Sequence, residues 1–265
     1  MPDTAAFAVK ALLTIFVVVA ITRIVEALGP RAGGLAIGLP IVIGPGYLFL
    51  LREHPPGFVA AAAETSTAGL VGILAYLIAA APLARRYGAT AMVAGGTLAW
   101  AAVGGTFAAS GAGMAASLAG FALLFAGAAA WAERAASGPP AGGARLALSM
   151  LLWRAVPAGL LVAGIGAVAA RLGGPVSGFL ISFPVAISAT GVVLHRARGG
   201  DTAAAMLIAA RTGLLGLAAF LAVLALALPV LGAAGAFALA LAASLAPGIA
   251  VAFGRRGGRL GLTRP

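Results

Sequence analysis

From residue 5 to residue 253 the chain is a succession of apolar runs, most of them about twenty residues long, joined by connections too short to fold on their own. A helix needs about 20 mainly apolar residues to cross a bilayer. Nine such runs can be marked at 5–28, 33–51, 56–81, 88–107, 112–132, 147–170, 175–195, 202–228 and 231–253. The expected fold is therefore an all-α integral membrane protein of about nine transmembrane helices. Little room is left for a soluble domain. Charged residues are 9% of the 265 and the mean hydropathy is +1.11, both outside the range of soluble domains. The N-terminal run lacks the basic flank and small-residue cleavage site of a signal peptide, so it reads as a permanent span.

The net charge of +11 would suggest nucleic acid in a soluble protein, but here the basic residues lie mostly in short loops. Assigned alternately to the two faces, one side receives Arg31, Arg85, Arg86, Arg134, Arg145, Arg196, Arg198, Arg255, Arg256, Arg259 and Arg264, and the other only Arg52 and Arg171. The positive-inside rule then predicts a multi-pass protein of a bacterial-type inner membrane, with the C-terminus cytoplasmic and the N-terminus outside.

Sliding the sequence by 144 positions superposes its halves. Gly29 meets Gly173, Gly34 meets Gly178, Pro40 meets Pro184, Arg52 meets Arg196, Gly69 meets Gly213 and Gly88 meets Gly232. This predicts a first repeat over 1–107, a linking span and loop over 108–143, a second repeat over 144–253 and a basic tail over 254–265. Four spans per copy plus one linking span make the copies inverted, a recurrent plan for secondary transporters.

Two matching runs carry helix breakers. Residues 33–50, GGLAIGLPIVIGPGYLFL, contain Pro40, Gly44, Pro45 and Gly46; residues 177–194, SGFLISFPVAISATGVVL, contain Ser182, Pro184, Ser188 and Thr190. Broken helix in hydrocarbon frees polar backbone groups, which is tolerated only against protein or a watery cavity. Paired breaks at matched positions predict a central binding site for a small-molecule substrate. The bland reading is kinked helices in close packing. These two runs, each following a span that ends in Leu-Gly, resemble the GlpM-like small inner-membrane proteins. The chain is similar to two such units fused through an extra helix, a resemblance that assigns no functional residue.

Charge inside the runs is rare. Glu64 lies eight residues into its run and Arg211 about ten, or roughly 12 and 15 Å. The 144 offset places Arg211 opposite Thr67, one turn from Glu64, with Thr212 beside it. Convergence of these residues at mid-depth is the expectation, with Glu64 as a proton-coupling site or, in the bland form, Glu64 and Arg211 as a permanent ion pair. Lys10 and Arg154 match each other and read as snorkelling side chains or as basic gates at opposite mouths. No cysteine, no catalytic motif and no acid pair on one helix is present, so neither metal, cofactor nor enzymatic activity is expected. The favoured function is secondary transport of a small polar or anionic metabolite, with a lipid flippase or a non-transporting membrane scaffold as alternatives. Protons and membrane lipid are candidate partners, and oligomerisation is left open.

Overall fold

A computed structural model describes residues 4–36, 40–135 and 147–257, and the side chains of 24–36, 129–135 and 251–257 are outside that description. The described chain is helical apart from short connections. The elements are α1 (Thr4–Ala36), α2 (Ile43–Glu53), α3 (Pro56–Arg86), α4 (Ala89–Ala99), a π-turn at Trp100–Gly104, α5 (Gly105–Ala109), α6 (Gly113–Ala135), α7 (Leu148–Ile181), α8 (Val185–Arg198), α9 (Gly200–Ala210), a 3₁₀ turn at Arg211–Gly213, and α10 (Leu214–Gly257). Five segments are long and apolar enough to cross a membrane: Thr4–Arg23, Pro56–Arg86, Ala89–Ala109, Leu148–Arg198 and Gly200–Ala250.

Two of the long helices are not single rods. Gly173 in α7 has φ 78° and Gly232 in α10 has φ 67°, a left-handed conformation that ends a helix and that only glycine adopts cheaply. Residues 148–172 and 174–181 then lie on opposite courses along α3. Ile165 and Ala169 share a core with Val59 and Ala62, while Arg154 lies at the level of Ile73, so 148–172 runs antiparallel to α3. Gly174 abuts Phe58, Gly178 abuts Ala62 and Ser182 abuts Gly69, so 174–181 runs parallel to it. After the interruption at 182–184, α8 continues the same way until His195 reaches the carbonyl of Ala84 at 3.0 Å. This is a broken rod whose gap lies midway along α3.

Equivalent reasoning places α2 antiparallel to α3, with Tyr47 hydrogen-bonded to Ser66 and Leu50 in one core with Val59. From Gly200, which abuts Ala84, α9 and the start of α10 also descend antiparallel to α3 until Phe220 and Leu224 join Val59. Ala11 and Ile15 of α1 abut Gly159, and Lys10 abuts Gly166, so α1 and 148–172 run antiparallel. Element starts recur at a spacing of 144: Thr4 and Leu148, Pro56 and Gly200, and the left-handed Gly88 and Gly232.

α3 is the central post, mostly buried where the N-terminal segment is mostly exposed. Its small residues permit this. A Cβ added at Gly69 would collide with the Ser182 side chain, and one at Gly178 with the Ala62 backbone. Without hydrophobic pressure between helices in lipid, such close approach, with the dispersion contacts it brings, is the main route to tight association. A buried polar link adds to it: Tyr47 donates to Ser66 Oγ, which donates to the carbonyl of Gly178, both at 2.6 Å. That link ties α2, α3 and the residues before the second break together.

Candidate functional site

The two interrupted stretches converge. A cavity of about 320 Å³ is lined by Pro40–Ile43 from the first and by Ser182–Ile187 from the second, together with Arg154, Ile73 of α3 and residues around the α9–α10 junction. Pro40 and Pro184, one from each run, both line it. Ser182 and Thr190 also line it. The expected flexible break at Gly44-Pro45-Gly46 does not occur. α2 begins at Ile43, so Pro45 falls in its first turn, where the missing N–H leaves no hydrogen bond unmade. Gly44 and Gly46 are buried, and Gly46 admits Ile181 and Val162 rather than a ligand.

The first turns of α2 and α8 border the cavity, and neither has a side-chain cap. The local hydroxyls look elsewhere. Ser182 donates to the carbonyl of Phe179 at 2.5 Å, Ser188 to that of Pro184 at 2.9 Å, and Thr190 to that of Ala186 at 2.7 Å. Each returns its hydrogen to a carbonyl about one turn back, and its remaining capacity in that geometry is as an acceptor. Ser188 lies outside the cavity lining.

Arg154 is the charged residue of the cavity. Its Nε is buried without a hydrogen-bond partner, and among the described residues no carboxylate pairs with its guanidinium. Its counterpart Lys10 has a different fate: its Nζ makes a 2.6 Å ion pair with Glu53 at the end of α2. The position 144 residues after Glu53 is Ala197, so Arg154 has no acid where Lys10 has one. Lys10 is therefore neither a free snorkelling group nor a free gate, and Arg154 faces the interior rather than a mouth.

Glu64 and Arg211 do not meet. Glu64 is exposed, and its Oε1 accepts a 3.2 Å hydrogen bond from the N–H of Met114 in the first turn of α6. Arg211 is half-buried; its Nη1 donates to the carbonyl of Phe125 at 3.3 Å and its guanidinium lies 4.7 Å from the centre of that ring. Met114 and Phe125 are eleven residues apart on α6, or about 16 Å. α3, at 31 residues and about 46 Å, is longer than the roughly 30 Å of a bilayer's hydrocarbon, so a count from its start does not fix the depth of Glu64. The neighbouring α4–α5 segment, only 21 residues long, turns back at Glu64's level. Thr67 is buried and bonds the Glu64 carbonyl at 2.6 Å, while Thr212 is exposed and bonds that of Ala209 at 3.0 Å; neither reaches the cavity.

The π-turn was not foreseen. It carries Trp100, whose ring stacks on Phe179 at 4.4 Å and meets Phe183 edge-on at 5.2 Å, bracing the residues that enter the second break. A single-turn π-bulge leaves no periodicity in sequence. Among the described residues no cluster of side chains could hold a metal ion. Comparison of the chain with protein-family models, with curated proteins and with solved structures finds no match in any of the three.

Proposed function

We propose that this chain is a secondary transporter of a small anionic metabolite, built from two inverted four-span repeats with α6 as the linking span, and that it binds its substrate in the cavity between the Pro40 and Pro184 breaks. Nine spans follow if the turns at Gly173 and Gly232 separate successive crossings and if α6, and α2 with the residues before it, each make one more. The inverted arrangement is supported by the opposite courses of matching elements, α1 against 148–172 and α3 against α9–α10. Each half then contributes one interrupted span to a shared central site, so that rocking one half against the other exposes that site alternately to the two sides. The resemblance to GlpM-like proteins carries none of this.

The observation that carries the reading is the lone guanidinium of Arg154. An isolated charge in a membrane interior is costly, on the order of 3 kcal/mol or more, and persists where it has a job. Here it faces a cavity whose lining holds no acid among the described residues, an arrangement complementary to an anion. Glu64 is given no part in coupling, because it caps α6 away from the cavity.

The test is uptake of a panel of organic acids and phosphate esters into proteoliposomes by the wild type and by Arg154→Gln. Loss of a buried charge-assisted contact is worth about 2–5 kcal/mol, so the variant should bind substrate at least about thirtyfold more weakly. Uptake of every anion at the wild-type rate by Arg154→Gln would overturn the proposal. Movement of labelled phospholipid between leaflets, with no uptake of soluble anions, would turn it towards a flippase.

A further inference from the structure

Resting on the reading just given, we infer that the cavity selects a singly charged organic anion with an apolar body, a small monocarboxylate, over dicarboxylates and phosphate esters. Charge bookkeeping leads to this. Arg154 is the one ionised side chain in the lining, and no acid accompanies it. The helix starts at the cavity do not add a second full positive charge. In the second break only three residues separate the C-terminal end of α7 at Ile181 from the start of α8 at Val185, so two opposed half-charges sit nearly together. A site in lipid that carries one positive charge is neutralised by one negative charge, and a dianion would leave a net charge buried.

Hydrogen bonding agrees. A carboxylate or phosphate needs donors, yet Ser182 and Thr190 have already given their hydrogens to Phe179 and Ala186. Little remains beyond the guanidinium fork to hold a second anionic group, while that fork suits one carboxylate held through two bonds. The rest of the wall is apolar, including Ile73, Phe183, Met206 and Leu217. At about 320 Å³ the space equals roughly ten waters, which suits a short alkyl or aryl group beside the carboxylate. The chain supplies its own precedent: at the matching position of the first half, a single carboxylate, that of Glu53, neutralises Lys10.

Binding can be read by the thermal stabilisation of the purified full-length protein on titration with acetate, propanoate, butanoate and pentanoate, with succinate, a phosphate ester and butanamide as comparators. The monocarboxylates should bind with affinity rising about fourfold per methylene, the ratio that ~0.8 kcal/mol of buried CH₂ gives, until the cavity is full. Butanamide should bind at least tenfold more weakly than butanoate, Arg154→Gln should lose the difference between them, and Arg154→Lys should keep most of it. Succinate or the phosphate ester binding more tightly than butanoate, in a manner abolished by Arg154→Gln, would overturn the monocarboxylate inference and leave the anion site standing. Absence of any anion binding, or binding indifferent to Arg154→Gln, would overturn both.

Discussion

Lys10 and Arg154 occupy one position in two matching segments, and the difference between them is what faces each cation. Lys10 finds Glu53 across the α1–α2 gap at 2.6 Å, whereas the second half offers Ala197 in the place of that acid. One half has closed its charge internally and become a brace. The other has left its charge open towards a cavity. Paired and unpaired cations in the same surroundings should respond oppositely to removal, because breaking a pair leaves a stranded charge and deleting a lone charge relieves one.

The largest effect expected is that opposition itself. Glu53→Gln strands Lys10, whose side chain is 12% exposed, and should lower stability by about 1–2 kcal/mol, the pair being moderated by Glu53 at 35% exposure. Arg154→Met removes the open charge and should raise stability by about 1–3 kcal/mol while abolishing anion binding, the trade expected where a strained site serves function. Thermal unfolding of both variants in the same detergent decides it. Equal destabilisation by the two substitutions would mean that Arg154 is held by its surroundings after all and that the halves do not differ in this respect.

Next in size is an attempt to erase the difference. Ala197 is exposed near the end of α8, so Ala197→Glu costs no packing and puts an acid at the position that matches Glu53, where it meets Arg154 if the second half repeats the Lys10–Glu53 geometry. The variant should gain up to about 1 kcal/mol and bind monocarboxylates about tenfold more weakly, because the new carboxylate competes with the ligand for one guanidinium. Ala197→Gln serves as the control and should match the wild type in both measurements. Anion affinity unchanged in Ala197→Glu, with full stability retained, would show that the two halves hold their cations in unlike geometries.

Much of this architecture could be read from the residues, for definite reasons. Apolar runs near twenty residues long and the aligned Gly29/Gly173, Pro40/Pro184 and Gly88/Gly232 pairs encode backbone requirements, and those were legible: Gly173, Gly88 and Gly232 all turn the chain in the left-handed region, and both proline breaks reach the cavity. Gly29 lies where side chains are not described, and the loop at 136–146 and the tail beyond 257 lie outside the description altogether. Side-chain encounters were less legible. The sequence placed Glu64 by counting from the start of its helix, and α3, at 31 residues, is longer than one crossing needs. It placed Arg154 at a mouth because Lys10 looked the same. The signal that separates them, an acid at 53 and none at 197, is present in the sequence, but only the fold shows that residue 53 faces residue 10. The Gly-Pro-Gly cluster misled because a proline in a helix's first turn and one in its interior look alike until the start of the helix is known.

The smallest effect concerns the residues that look most functional in the sequence. Glu64 gives α6 a carboxylate at its positive end, accepting the Met114 N–H, and Arg211 lies over Phe125 midway along the same helix. Each contact anchors α6 against one of the two halves. Glu64→Gln keeps a hydrogen-bond acceptor and loses the charge at the helix terminus, which is worth about 0.3–1 kcal/mol. Arg211→Gln loses a cation–π contact of about 0.5–1 kcal/mol. Both variants should unfold at slightly lower temperature and take up anions at the wild-type rate, with the same dependence on external pH. A change in that dependence in Glu64→Gln alone would return proton coupling to this carboxylate. It would also mean that α6, rather than the cavity wall, links the two halves in the transport cycle.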